Sequence, residues 1–191
     1  MADVLLFHHA LGQTPGFLSF AESLRSAGHT VHAPDLFDGR TFATVDEGVA
    51  HARTIGFQAL QDRGVAAAEG LPADLVYAGF SLGVMAAQRL AQTRDGARGA
   101  VLLDSAIPLG EFAPGWPADV PVQVHGGEAD EFFMDEGDVD AAREIVDAAA
   151  DGELFTYAGC GHLFADASAE SYDPEAAALV QHRVVDFLGR L

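Results

Sequence analysis

The chain has 191 residues, with 10 basic side chains against 29 acidic ones and a formal net charge of −19. All ten cations are Arg, and neither Lys nor Asn occurs, which removes Schiff-base lysine, Walker-A and Cys-His-Asn chemistry along with N-glycosylation. Such an acidic chain also disfavours nucleic acid and anionic membrane surfaces as partners, because phosphate affinity is supplied largely by cationic side chains.

Short apolar runs at 4–8, 30–33, 75–79, 100–103, 120–125 and 154–157 are expected strands, most of them apolar on both faces as a covered parallel sheet requires. Stretches at 16–27, 45–69, 82–93, 139–150 and 174–188 carry apolar or alanine positions at helical spacing. Gly28, Gly152 and Pro174 are the matching stop and start signals. Strand and helix alternate, so the fold class is α/β. The segment 105–119 holds Pro108, Gly110, Pro114, Gly115 and Pro117. It is expected to run as loop from the carboxyl end of its strand, the edge where such sheets place ligands.

An apolar content of 49% and this length fit one globular domain, residues 1–191, and a single cysteine forms no internal disulfide. The start, Met1 to His9, has no basic signal-peptide region, and its apolar run is too short for a span. A cytoplasmic monomer or small homo-oligomer is expected.

The chemistry-bearing motif is Gly79-Phe80-Ser81-Leu82-Gly83, set between an apolar strand and a helical run. A nucleophile on a sharp strand-to-helix turn needs small residues two before and two after, and the helix start offers N–H groups to an oxyanion. Ser81 then needs a base and an orienting carboxylate. His162, in Gly159-Cys160-Gly161-His162 after the last strand, is the candidate base. Asp130, after the strand ending in Gly126-Gly127, is the candidate acid, with Asp104 at the end of the preceding strand as the alternative. The oxyanion donors are expected at Leu82 and at Ala10, just past the first strand. The adjacent His8 and His9 point to opposite faces of a strand and no zinc-peptidase spacing occurs, so no metal or cofactor is expected. Cys160 is read as a buried spacer rather than a second nucleophile. His9, Phe37, Trp116, Phe132 and Phe164 are candidate substrate-binding residues near the carboxyl edge.

The order serine, acid, histidine and five ordered segments resemble the dienelactone hydrolase family of α/β-hydrolases. The segments are His9-Ala10-Leu11-Gly12, Ala33-Pro34-Asp35-Leu36-Phe37, the elbow, Gly127-Glu128-Ala129-Asp130-Glu131-Phe132 and Gly161-His162-Leu163-Phe164. The resemblance implies an α/β-hydrolase fold with a mainly parallel sheet of about six strands, helices on both faces and no large lid domain. It also implies a triad of Ser81, Asp130 and His162. The namesake enzymes carry a cysteine at the elbow and a glutamate after the first strand, where this chain has Ser81 and His9. Their substrate-binding arginine falls on Asp166, so an anionic substrate should be repelled and a small neutral ester, lactone or thioester fits better. A non-catalytic ligand-binding homologue and an acyltransferase are the alternatives.

Overall fold

The computed structural model describes residues 1–191. Six strands form one sheet in the order β2-β1-β3-β4-β5-β6, every neighbouring pair parallel. They are β1 (Asp3–Phe7), β2 (Thr30–His32), β3 (Leu75–Phe80), β4 (Gly99–Leu103), β5 (Val122–Gly127) and β6 (Gly152–Tyr157). The helices are α1 (Pro15–Ser26), α2 (Val45–Ile55), α3 (Phe57–Ala66), α4 (Val84–Thr93), α5 (Glu131–Asp135), α6 (Asp138–Ala148) and α7 (Pro174–Arg190).

Because side chains alternate along a strand, the apolar runs feed two cores. Leu5, Phe7, Leu75, Tyr77, Leu102 and Val124 face one layer, with Val84, Leu90 and Ile145 from α4 and α6. Val4, Leu6, Val76, Ala78, Val101 and Leu103 face the other, with Phe17 and Leu24 from α1 and Val184 and Phe187 from α7. No helix is long and apolar enough to cross a membrane.

The chain leaves β1 toward β2 on one side and returns to β3 on the other. The β1/β3 boundary is therefore the place where strand order reverses, and a crevice opens there at the carboxyl ends. Phe7 pairs with Gly79 in this register, which brings the loop after β1 beside the elbow after β3.

Two expectations need correction. The single helix at 45–69 is two, because Gly56 adopts φ +94° and ends α2 before α3 begins. Asp130 starts an unexpected short helix, α5, by accepting the Phe132 N–H on its own side chain. The segment 105–119 contains no helix, but its Trp116 is buried, donating Nε1–H to the Val120 carbonyl at 2.7 Å.

Candidate active site

β3 delivers Ser81 at its carboxyl end. Ser81 has φ +46°, a left-handed conformation costly for a residue with a Cβ, and a 3-10 turn at Ser81–Gly83 leads into α4. The flanking glycines are there for contact distance. A Cβ on Gly79 would sit 2.5 Å from the Gly83 carbonyl oxygen, and one on Gly83 would sit 2.5 Å from that of Phe7. The turn closes because both positions lack a side chain.

Ser81 Oγ donates to His162 Nε2 at 2.8 Å, and His162 Nδ1 donates to Asp130 Oδ2 at 2.7 Å. Two loops hold this alignment. The Ala129 N–H donates to the Cys160 carbonyl at 2.9 Å, tying the acid loop to the histidine loop, and a Cβ on Gly127 would collide with that same carbonyl. Behind His162, the Ser171 hydroxyl donates to the His162 carbonyl. Asp130 is buried, its Oδ1 accepting the Phe132 N–H at 3.0 Å and its Oδ2 facing the imidazole.

Burial opposes the charged imidazolium of His162, but the hydrogen bond to Asp130 and the charges of Asp104, Asp130 and Asp138 outweigh it. The pKa is held above the ordinary 6.5. Cys160 is buried with a raised pKa, caused first by burial and then by nearby carboxylates, so it stays a thiol.

Ala10 is a buried residue whose N–H donates to no acceptor in the protein. The loop that carries it is fixed from three sides. Gly48 of α2 lies so close to the Ala10 carbonyl that a Cβ would overlap it, Phe42 N–H donates to the Leu11 carbonyl at 3.0 Å, and Gly12 turns the chain at φ +83°.

The Dienelactone hydrolase family profile matches residues 2–191, nearly the whole chain. The chain belongs to the dienelactone hydrolase family. Among solved structures, a dienelactone hydrolase-like promiscuous phosphotriesterase from metagenomic libraries is similar at 18% identity and TM-score 0.79, covering 100% of this chain and 87% of its own. Thermogutta terrifontis esterase 2 phosphonylated by sarin is similar at 15% identity and TM-score 0.69, covering 98% and 83%. No curated protein sequence matches significantly.

Two of the three positions at which this dienelactone hydrolase family member departs from its namesakes, His9 and Asp166, are in contact. His9 Nδ1 accepts the Leu11 N–H at 3.2 Å, so its proton lies on Nε2, and Nε2 donates to Asp166 Oδ2. Asp166 also accepts from the Thr14 hydroxyl and the Ser168 N–H, both at 2.6 Å. Burial disfavours its charge, but those hydrogen bonds and the His9 interaction prevail and keep its pKa below the usual value. Both residues are buried. The expectation that Asp166 faces substrate as a free anion is thus corrected: its charge is spent inside, between two loops.

A cleft of about 420 Å³ opens beside His162, walled by Leu11, Phe132 and Leu163, the start of α2 at 43–46 and the segment 169–171. Of the five candidate substrate-binding residues only Phe132 is on this wall, 46% exposed with its ring centroid 4.9 Å from that of His162. His9, Phe37, Trp116 and Phe164 are buried. His9 is held by Asp166, Phe37 packs edge-on against His8, Trp116 closes its own loop, and Phe164 packs on Tyr157. His8 is likewise occupied, donating from Nδ1 to the His9 carbonyl and accepting the Leu36 N–H on Nε2; burial lowers its pKa to about 4.

Sequence reasoning missed the start of α2 as a cleft wall and Gly48 as the brace under Ala10. The Thr44-x-x-Glu47 capping pattern was the available signal for the first, since it places a helix start there.

Proposed function

We propose that this protein is a serine hydrolase acting on a small neutral carboxylic ester, lactone or thioester through an acyl-enzyme. The observation that carries the reading is the unbroken chain from Ser81 Oγ to His162 at 2.8 Å and on to Asp130 at 2.7 Å, mounted on a left-handed serine. His162 Nε2 takes the Ser81 proton as Oγ attacks the acyl carbon. Asp130 holds the ring by Nδ1 and stabilises the imidazolium that forms. The Ala10 and Leu82 amides receive the oxyanion, a role supported by the unengaged Ala10 N–H beside the elbow. His162 returns the proton to the leaving alcohol or thiol, and water attacks the acyl-Ser81 ester by the same route in reverse.

The cleft supports a neutral substrate. Its titratable wall residues are His162, Asp46 and Glu170, so a carboxylate-bearing acyl group meets two acids and no permanent cation. The descriptions of the two structural relatives add organophosphorus esters as expected reagents for Ser81.

The test is a panel of p-nitrophenyl esters and acyl thioesters, read against Ser81→Ala, with fluorophosphonate labelling followed by peptide mass mapping. Turnover abolished in Ser81→Ala and one label on Ser81 are expected. A folded protein that neither turns over any panel member nor takes the label overturns the reading.

A further inference from the structure

Asp104 is the one residue with buried side-chain oxygens that lack any hydrogen-bond partner: both Oδ1 and Oδ2 are unsatisfied. Leaving a carboxylate so is expensive, and native proteins do it seldom and for a reason. Its backbone is unfavourable too, with φ +59°. Only four non-glycine residues have positive φ. Ser81 and Asp104 are two of them, and Leu163, next to His162, is a third.

The sheet explains where this residue points. Phe80 pairs with Leu103, so Ser81 and Asp104 leave adjacent strands in the same register. On the other side the Asp104 N–H donates to the His125 carbonyl at 2.8 Å, anchoring the turn to β5, the strand that leads to Asp130. Asp104 therefore stands at the carboxyl edge between the nucleophile strand and the acid strand, beneath the histidine loop. The groups that feel its charge come from every neighbouring element: His162 from the loop after β6, Asp130 from the end of β5, Tyr157 from β6 and Cys160 from the following turn. Asp138, at the start of α6, also acts on His162 but is engaged by the Ser105 hydroxyl at 2.6 Å and the Ala106 N–H at 3.1 Å. Asp130 is engaged by His162 and Phe132. Asp104 alone has both oxygens uncommitted.

We propose that Asp104 is a second carboxylate acting on His162 through its charge, a positioning residue that shares stabilisation of the imidazolium with Asp130 and sustains the histidine when Asp130 is removed. The proposal rests on His162 being the base of the preceding section. Burial pushes the Asp104 carboxyl up to about 7, with the charge of His162 working against that rise and that of Asp130 adding to it. The Asp104 carboxylate is most favourable while His162 carries its proton, so the two titrations are coupled.

The test uses Asp104→Asn, Asp130→Asn and the double variant. Asparagine tolerates the left-handed backbone, and Asp104→Gly, which suits φ +59° better still, is the second charge-removing variant should the first fold poorly. The His162 titration is followed by NMR of the imidazole carbons, and kcat/KM for p-nitrophenyl acetate is measured across pH. Both Asp104 variants should lower the His162 midpoint by on the order of half a pH unit or more. They should also move the acid limb of kcat/KM by the same amount and raise Tm, since an unpaired buried carboxylate has gone. Asp130→Asn should keep on the order of tenfold more activity than the double variant. A His162 midpoint unmoved by either Asp104 variant overturns the proposal, as does a double variant no worse than Asp130→Asn. The NMR arm is independent of turnover, so a protein that hydrolyses nothing in the panel still tests Asp104 through the titration.

Discussion

His9 gives its Nε2 proton to Asp166, 157 positions away, and this contact joins the loop that presents the Ala10 amide to the loop that presents His162. Asp166 gathers three donors, from His9, Thr14 and Ser168, in the interior. Gly16 is packed so tightly against the Asp166 carboxylate that a Cβ there would overlap it.

Replacing Asp166 by Asn should therefore destabilise the fold by about 2–3 kcal/mol, because an amide nitrogen is turned toward donors that a carboxylate had satisfied. The Asp166 pKa is lowered in the folded state, so its contribution is fully present above the ordinary carboxylate range and is lost as pH falls through the lowered value. Urea denaturation should show the full wild-type advantage over Asp166→Asn at pH 7 and a shrinking one as the solution is taken below pH ~4.

Under the proposed mechanism the raised pKa of His162 sets the pH dependence of activity. The base works only when neutral, so kcat/KM should fall as pH drops through a midpoint above 6.5, and the profile should be flat on the alkaline side of it. Stability runs the other way. A raised histidine pKa stabilises the fold below the unfolded value, and that stabilisation is lost as pH rises through the folded value, so the catalytically competent form is the less stable one. Initial rates and thermal melts collected over one pH series check both halves.

Ser81 combines a reactive position with a strained backbone. Ser81→Ala should cut kcat by about 10⁴-fold or more while ligand affinity persists. Ser81→Gly, equally inactive, should be about 1 kcal/mol more stable than Ser81→Ala, since relief of the left-handed strain outweighs the extra freedom of the unfolded glycine. Paired denaturation curves decide it, and an alanine variant as stable as the glycine one speaks against stored strain.

Gly48→Ala places a methyl group against the Ala10 carbonyl, which must then move with its loop. Loss of one oxyanion donor typically costs about 10²–10³ in kcat. A partial displacement should cost about tenfold or more in kcat with a smaller change in KM. Steady-state kinetics on the best panel substrate give the split.

Phe132 lies against the His162 ring and is half-exposed on the cleft wall. Phe132→Ala should raise KM several-fold for apolar acyl chains and barely change Tm, because little core packing is lost. A large drop in Tm would place Phe132 in the core instead.

The alternating pattern of strands and helices was legible because most strands are apolar on both faces, and the elbow was legible because its glycines act within five residues. Asp130 and His162 were candidates from chain order and their glycine-flanked strand ends, with Asp104 left open as the alternative acid. The wall of the cleft was not. An aromatic near the carboxyl edge faces substrate or core according to how its loop packs, and Phe37, Trp116 and Phe164 found interior partners across the chain. The His9–Asp166 contact was hidden for the same reason, since nothing local relates two residues in loops that meet only after the sheet forms. Asp104 was visible as a strand-end acid, but its lack of any partner is a property of the packed site.

The start of α2 and the segment 169–171 wall the cleft yet contribute no strand, triad member or large core side chain. Residues 43, 45, 46, 169 and 170 can thus be randomised as a set while the elbow glycines, Thr44, Gly48, Asp166 and Ser171 are held constant. Substrate range and catalytic geometry are inherited from different parts of the chain, and this small domain offers a scaffold on which specificity can be selected without rebuilding the chemistry.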